Sequence, residues 1–109
     1  MKILVTGCDG LVGSAIRDIA IESKHEFVFL NRKSLDLLDS KEVQSTFKHI
    51  KADAVLHSAA RVGGIGLNLS SPAEQFTDNI LMNTNVIHAA FLSNVKKLIA
   101  FSSVCAFPA

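Results

Sequence analysis

Residues 3–13 read Ile3-Leu4-Val5-Thr6-Gly7-Cys8-Asp9-Gly10-Leu11-Val12-Gly13. The first four form a short apolar run rich in β-branched residues and free of polar alternation, which suits a strand buried on both faces. The run ends at glycines spaced G-x-x-G-x-x-G. Beyond them, Leu11 to Ser23 places Leu11, Ala15, Ile16, Ile19 and Ala20 at helical intervals. In this strand–turn–helix context each glycine has its own task. Gly7 permits the tight turn out of the strand, Gly10 lets the backbone approach a pyrophosphate, and Gly13 lets the helix pack close to the sheet. The free N–H groups at the helix start then hold the negative phosphates. The segment Gly7, Cys8, Asp9, Gly10, Leu11, Val12, Gly13 is therefore assigned to dinucleotide binding, the plain alternative being a glycine turn with no ligand. Asp9 works against the assignment by placing a negative charge in a phosphate loop. Cys8 near a helix start is either an unusually reactive thiol or a simple turn residue.

Outward from this stretch the chain keeps alternating. Phe27 to Leu30 is a second buried run. Ser40 is read as the N-cap of a helix carrying Val43, Phe47 and Ile50 along one face. Ala52 to Leu56 is a third strand. A loop rich in Gly, Asn and Ser follows, from Ser58 to Ser71. Pro72 sits well as a first helical residue, and the helix it opens is expected to reach about Ser93 with Phe76, Ile80, Ile87 and Phe91 on one side. Leu98 to Phe101 is a fourth strand. Strand–helix–strand at this spacing implies parallel pairing and right-handed crossovers. The expectation is an α/β fold with a doubly wound parallel sheet of about four strands in the order 3-2-1-4. Such a fold normally carries about two further strands, so the chain reads as the N-terminal part of a dinucleotide-binding domain, with its last strand a thinly covered edge.

The chemistry of the cofactor is written at the end of strand two. A carboxylate there would bond the ribose hydroxyls of NAD and repel a 2′-phosphate. This chain has Asn31-Arg32-Lys33. A guanidinium can grip a phosphate through two parallel hydrogen bonds, so Arg32 points to NADP (NADPH), the alternative being solvated loop charges. Asp36 and Leu37 follow, a pair that in this type of fold commonly lies beside the adenine, while Asp39 reads as a capping group. His57-Ser58-Ala59-Ala60 ends strand three with small residues that let the backbone pass close to the cofactor. His57 is read as a packed, hydrogen-bonded group rather than a catalyst. Asn79 either braces the sheet or lies on a solvated face, and Arg17 and His88 are placed on exposed or partly buried helix faces.

Bulk composition excludes several classes. The 109 residues carry a formal net charge of +1, which gives no reason to propose a nucleic-acid or membrane partner. The two cysteines, Cys8 and Cys105, follow no metal spacing. The first apolar run is broken at Gly7, too early for a signal segment or a membrane span. Free thiols in a reducing, cytoplasmic setting are the expectation.

Taken together, the glycine loop, His57-Ser58-Ala59-Ala60 and Ser102-Ser103 resemble the extended short-chain dehydrogenase/reductases, the Rossmann-type group of nucleotide-sugar epimerases and dehydratases. Three stretches narrow the resemblance to the GDP-L-fucose synthase family: Ala59-Ala60-Arg61-Val62-Gly63-Gly64-Ile65, Asn85-Val86-Ile87-His88-Ala89-Ala90, and Ser103-Val104-Cys105-Ala106-Phe107-Pro108. The resemblance implies an enzyme that epimerises GDP-4-keto-6-deoxymannose beside its carbonyl and then reduces the carbonyl with NADPH. Ser103 matches the serine that orients the carbonyl and Cys105 the cysteine that handles protons. Ala59, Ala60 and Ser102 match cofactor-lining positions, Arg32 the reader of the 2′-phosphate, and Val62 to Asn68 the substrate approach. Kinship also implies a homodimer of the full-length protein, formed through the helix that contains Asn79.

The departures are equally specific. The chain has no Tyr, so the Tyr-x-x-x-Lys pair that assists the reduction in this family is missing. The epimerisation His and the substrate domain are not found either. These 109 residues alone are expected not to catalyse the reaction. Two alternatives stay open: another NAD-dependent nucleotide-sugar epimerase or dehydratase, and a non-catalytic nucleotide-binding module.

Overall fold

A computed structural model describes residues 1–8, 11–58 and 72–100. The elements run β1 (Lys2–Thr6), α1 (Leu11–Ala20), β2 (Glu26–Leu30), α2 (Ser40–Ile50), β3 (Ala54–His57), α3 (Pro72–Leu92) and β4 (Lys97–Ala100). All pairings are parallel, so the α/β class and the alternation of strand and helix stand as expected.

The strand order does not. The sheet runs β2-β1-β3-β4, rather than 3-2-1-4. β3 adds to the free edge of β1, with Leu4 opposite Val55 and Thr6 opposite His57, instead of continuing outward past β2. The physical reason is burial. β1 and β3 are the strands whose residues are shielded most completely, whereas β2 opens on exposed Glu26 and is only half-buried beyond it. An inner place suits Ala54-Val55-Leu56-His57, and an edge suits Glu26-Phe27-Val28-Phe29-Leu30. Handedness of the crossovers follows from strand–helix–strand, but the edge that the third strand joins does not. The consequence is functional: winding reverses between β1 and β3, and an open parallel sheet places its ligand crevice outside the strand ends at such a reversal.

The core lies on one face of the sheet. Leu4 and Val55 meet Leu35, Leu37, Val43, Phe47, Val86, Ala89 and Ala90, with Val28, Leu30, Ile50, Met82 and Leu98 packed around them. α2 therefore presents Val43, Phe47 and Ile50 inward as expected. Its N-cap is Asp39, not Ser40: the carboxylate accepts from the N–H groups of Lys41 and Glu42 at 3.1 Å each, because a carboxylate one residue earlier reaches the free helix-start donors. Its other end is closed by Lys51 in the left-handed conformation (φ 56°, ψ 51°), which donates its N–H to Phe47.

α3 gathers its large apolar residues on one side, as expected, but does not bury them against the sheet. Phe76, Ile80, Ile87 and Phe91 share one side, but that side faces outward, with Phe76 67% and Phe91 78% exposed. The inner side is Val86, Ala89 and Ala90, small enough to bring α3 close to the sheet. On the opposite face of the sheet, Phe27 and Phe29 stack at 5.8 Å between ring centres, and the Arg17 guanidinium of α1 lies 5.2 Å from the Phe29 ring centre. α1 exposes Ile19 and Ala15, while Ile16 is half-buried.

The starts of three strands are tied together by Asp53. Its carboxylate accepts the Lys2 N–H at 2.7 Å, its own N–H donates to the Lys2 carbonyl at 2.8 Å, and its carbonyl accepts from Lys96 at 2.9 Å. These bonds hold the Asp53 carboxyl below its ordinary range, chiefly through the Lys2 N–H, with Lys96, the N-terminus and Lys2 adding positive charge and desolvation opposing.

Candidate functional site

The site is the C-terminal end of β1 and β3. Gly7 leaves β1 with φ 68°, a conformation that glycine adopts at little cost. Gly13 lies in the first turns of α1, and a Cβ there would meet the Gly7 carbonyl oxygen at 2.1 Å and the Cys8 Cα at 2.6 Å. The start of α1 is thus pressed against the turn that leaves β1, and only a glycine fits. This contact delivers the helix N-terminus, with its first-turn N–H groups, to the end of the sheet where the winding reverses. The tight turn expected of Gly7 and the close packing expected of Gly13 are both present. Cys8 is 2% exposed, so the reactive-thiol reading is replaced by that of a buried turn residue. Val12 is exposed on α1.

Beside the turn, a polar chain crosses from the buried strands to the helix above them. The Thr6 hydroxyl and His57 Nδ1 are 2.8 Å apart, and His57 Nε2 lies 2.7 Å from Asn83 Oδ1 of α3. With Nε2–H donating to Asn83, Nδ1 is left to accept from Thr6, which fixes the neutral tautomer. Burial pushes the His57 pKa down, and the Asn83 hydrogen bond partly opposes that. His57 and Thr6 are 2% and 1% exposed, so His57 is a packed group, as its position at a strand end suggested. Next to it, the Ser58 hydroxyl donates to the Thr6 carbonyl.

The end of β2 supplies the cationic part. Asn31 folds the chain back: its side-chain oxygen accepts from the N–H groups of Lys33 and Ser34 at 3.0 Å each, and its own N–H donates to the Ser34 hydroxyl at 2.8 Å. This compact turn leaves Arg32 and Lys33 exposed at the C-terminal end of the edge strand. Asp36 accepts the Leu38 N–H at 3.0 Å and so shapes the following turn. The Leu37 side chain is in the core and its carbonyl accepts from Asn85 of α3 at 2.8 Å, so what Leu37 can offer an adenine is backbone. Asn79, read either as a brace or as a solvated residue, is half-buried on α3, and Asn83 and Asn85 of the same helix reach His57 and the Leu37 carbonyl. Arg17 and His88 are exposed.

Asp9, Gly10, Ala59, Ala60, the segment Val62 to Asn68 expected at the substrate approach, Ser102, Ser103 and Cys105 lie outside the described residues. Thr6 and Asn83 are not singled out by the sequence, and Ser58 only as a small residue at the end of strand three. The signal existed, since Thr6 and His57 are the polar residues that end two apolar strands. It is usable only when β3 adjoins β1, which the expected order forbade. Among the described residues no cluster of His, Cys, Asp or Glu could hold a metal ion, and no helix is long and apolar enough to cross a membrane.

Residues 3–109 match the NAD dependent epimerase/dehydratase family. GDP-L-colitose synthase of Yersinia pseudotuberculosis is 37% identical over 108 residues, covering 99% of this chain and 35% of the relative. GDP-L-fucose synthase of Escherichia coli K12 is 38% identical, covering 98% and 34%. The crystal structure of a GDP-L-fucose synthetase from Naegleria fowleri bound to NADP is similar with a TM-score of 0.86 at 37% identity, over 98% of this chain and 35% of that one. The chain thus spans about a third of the length of the relatives it matches.

Proposed function

The chain belongs to the NAD dependent epimerase/dehydratase family, and from that premise we propose that it is the N-terminal, NADP-binding portion of a GDP-L-fucose synthase acting in the cytoplasm. In this reading the whole enzyme converts GDP-4-keto-6-deoxy-D-mannose to GDP-L-fucose by epimerisation and NADPH-dependent reduction.

The observation that carries the proposal is the contact of Gly13 with Gly7 and Cys8 at the reversal of winding. A Cβ would fill that space, and the close approach serves to bring helix-start N–H groups to a phosphate. Gly7, Cys8, Asp9, Gly10, Leu11, Val12 and Gly13 would hold the pyrophosphate, with Ala59, Ala60 and Ser102 beside the cofactor. Asp36 and the Leu37 backbone would flank the adenine. Arg32, exposed at the end of β2, would grip the 2′-phosphate through its fork of donors. Bound NADPH supplies the hydride for the sugar carbonyl.

Ser103 and Cys105 follow β4 in sequence, and the reading gives them the substrate. The Ser103 hydroxyl would hydrogen-bond the carbonyl oxygen and orient it. The Cys105 thiol would move a proton at a carbon beside the carbonyl. With no Tyr in the chain, the proton for the developing alkoxide must come from elsewhere in the protein. The outward apolar side of α3, Phe76, Ile80, Ile87 and Phe91, supports the homodimer.

Titration with NADPH and NADH, followed by nicotinamide fluorescence, tests the cofactor. NADPH should bind at least about tenfold more tightly, the worth of one or two charge-assisted hydrogen bonds. Equal affinities would exclude Arg32 as a 2′-phosphate reader. In the full-length enzyme, failure to turn GDP-4-keto-6-deoxymannose and NADPH into GDP-L-fucose, with turnover of a UDP-sugar instead, would move the protein to another branch of the family.

A further inference from the structure

We propose that His57 is a positioning residue for the phosphate-binding turn, acting through Thr6 rather than by touching the cofactor. The inference rests on the dinucleotide-binding reading above and adds to it a residue assigned there only to packing.

Thr6 is the last residue of β1 and the direct neighbour of Gly7. It is held from two sides. The imidazole of His57 accepts its hydroxyl hydrogen, and the Ser58 hydroxyl donates to its carbonyl. That carbonyl belongs to the Thr6–Gly7 peptide, which is planar. Fixing the direction of its oxygen therefore fixes the direction of the Gly7 N–H and the entry into the φ 68° turn. Gly7 in turn is the surface on which Gly13 and the start of α1 rest. A continuous path leads from Asn83 on α3, through His57 on β3 and Thr6 on β1, to the helix terminus that would face the pyrophosphate.

His57 suits this role because its two nitrogens work in opposite directions. Nε2–H is anchored by Asn83 at 2.7 Å, which sets the ring angle and leaves Nδ1 as an acceptor for Thr6. An apolar residue would fill the space equally well yet leave a buried hydroxyl, 1% exposed, with its position no longer fixed by the neighbouring strand. The ring thus joins the end of β1 to the helix above it, with one nitrogen partnered on β1 and the other on α3.

The two halves of the imidazole can be separated by substitution. His57→Asn keeps an acceptor at the Nδ1 position and gives up the Asn83 anchor. His57→Gln keeps a donor toward Asn83 and gives up the acceptor for Thr6. NADPH affinity and the thermal midpoint are measured for wild type, both variants, Thr6→Val, and the double variant Thr6→Val/His57→Gln. The expected result is that His57→Gln and Thr6→Val each weaken NADPH binding by about tenfold, the worth of one buried hydrogen bond. The double variant should be no weaker than either single, since both remove the same bond, and His57→Asn should restore affinity to within about threefold of wild type, even if its midpoint is as low as that of His57→Gln. The inference is overturned if NADPH affinity follows the thermal midpoint across the set, if Asn and Gln are equivalent, or if the losses of Thr6→Val and His57→Gln add. A wild-type protein that binds neither NADPH nor NADH would instead remove the dinucleotide-binding reading on which the inference rests.

Discussion

His57 Nδ1 and the Thr6 hydroxyl oxygen lie 2.8 Å apart, at the ends of two paired strands, both residues shut away from solvent. Because His57 is buried, its protonated form is disfavoured in the folded chain, and its pKa falls below the ordinary 6.5, with Asn83 opposing in part. The unfolded chain takes up its proton first as pH drops. Stability is therefore complete above 6.5 and is lost as pH falls from there through the lowered folded pKa. The thermal midpoint should decline over that window in the wild type, and decline less in His57→Gln, which has nothing to titrate at this place. Parallel curves for the two proteins would show that His57 is not the group responsible.

At the turn itself, Gly13→Ala is expected to damage both stability and binding. The added methyl would meet the Gly7 carbonyl at 2.1 Å, and neither atom is the flexible end of a side chain. Backbone must shift to make room, at a cost of about 1–3 kcal/mol for overpacking. Since the shift moves the start of α1 away from β1, NADPH affinity should fall by more than the loss of folded protein explains. Chemical denaturation beside a binding titration checks this, and wild-type affinity in the Gly13→Ala variant would mean that the close contact serves packing alone.

Much of this was readable from the residues. The strand–glycine–helix opening, the alternation of elements, the inward face of α2 and the packed character of His57 all follow from apolar spacing and turn residues. What was not readable depends on long-range pairing. The apolar stripe Phe76, Ile80, Ile87, Phe91 has core spacing, yet the core took Val86, Ala89 and Ala90 because small side chains let α3 approach the sheet. Periodicity locates an apolar face; it cannot say whether this sheet or another surface covers it. Likewise, Ser40 is a good N-cap by type, but Asp39 holds the place because its carboxylate reaches two N–H groups. Thr6 and His57 become partners only through the β1–β3 pairing, a choice of edge that local sequence does not encode.

The two ends of α2 give a matched pair of stability tests. Asp39→Ala removes an acceptor for two helix-start N–H groups and should cost about 1 kcal/mol, whereas Asp39→Asn should cost less. Lys51 occupies the left-handed region at φ 56°, where a side chain is strained and glycine is not. Lys51→Gly should stabilise by roughly 0.5 kcal/mol after the greater flexibility of glycine in the unfolded chain is subtracted. Urea midpoints moving in opposite directions for Asp39→Ala and Lys51→Gly would bear out both caps. A destabilised Lys51→Gly would mean that the Lys51 side chain makes a contribution larger than the strain it carries.

Asp53 offers the last test, at the end of the sheet away from the Gly7 turn. Its carboxylate takes the Lys2 N–H while its backbone joins Lys2 and Lys96, so three strands begin at one residue. The Lys2 N–H bond, helped by the charges of Lys96, the N-terminus and Lys2, lowers its pKa below 3.8 against the opposing effect of desolvation. A depressed carboxyl stabilises the folded chain above 3.8, and the contribution is lost as pH falls through the lower folded value. Asp53→Asn retains an oxygen for Lys2 but not the charge; Asp53→Ala loses both. The expected order of thermal midpoints at neutral pH is wild type, Asn, Ala, with the gap between wild type and Asn closing as pH drops below 3.8. NADPH affinity should be unchanged in Asp53→Asn, because the clasp and the Gly7 turn sit at opposite ends of β1. A gap that persists unchanged in acid would assign the role of Asp53 to its hydrogen bonds rather than to its charge.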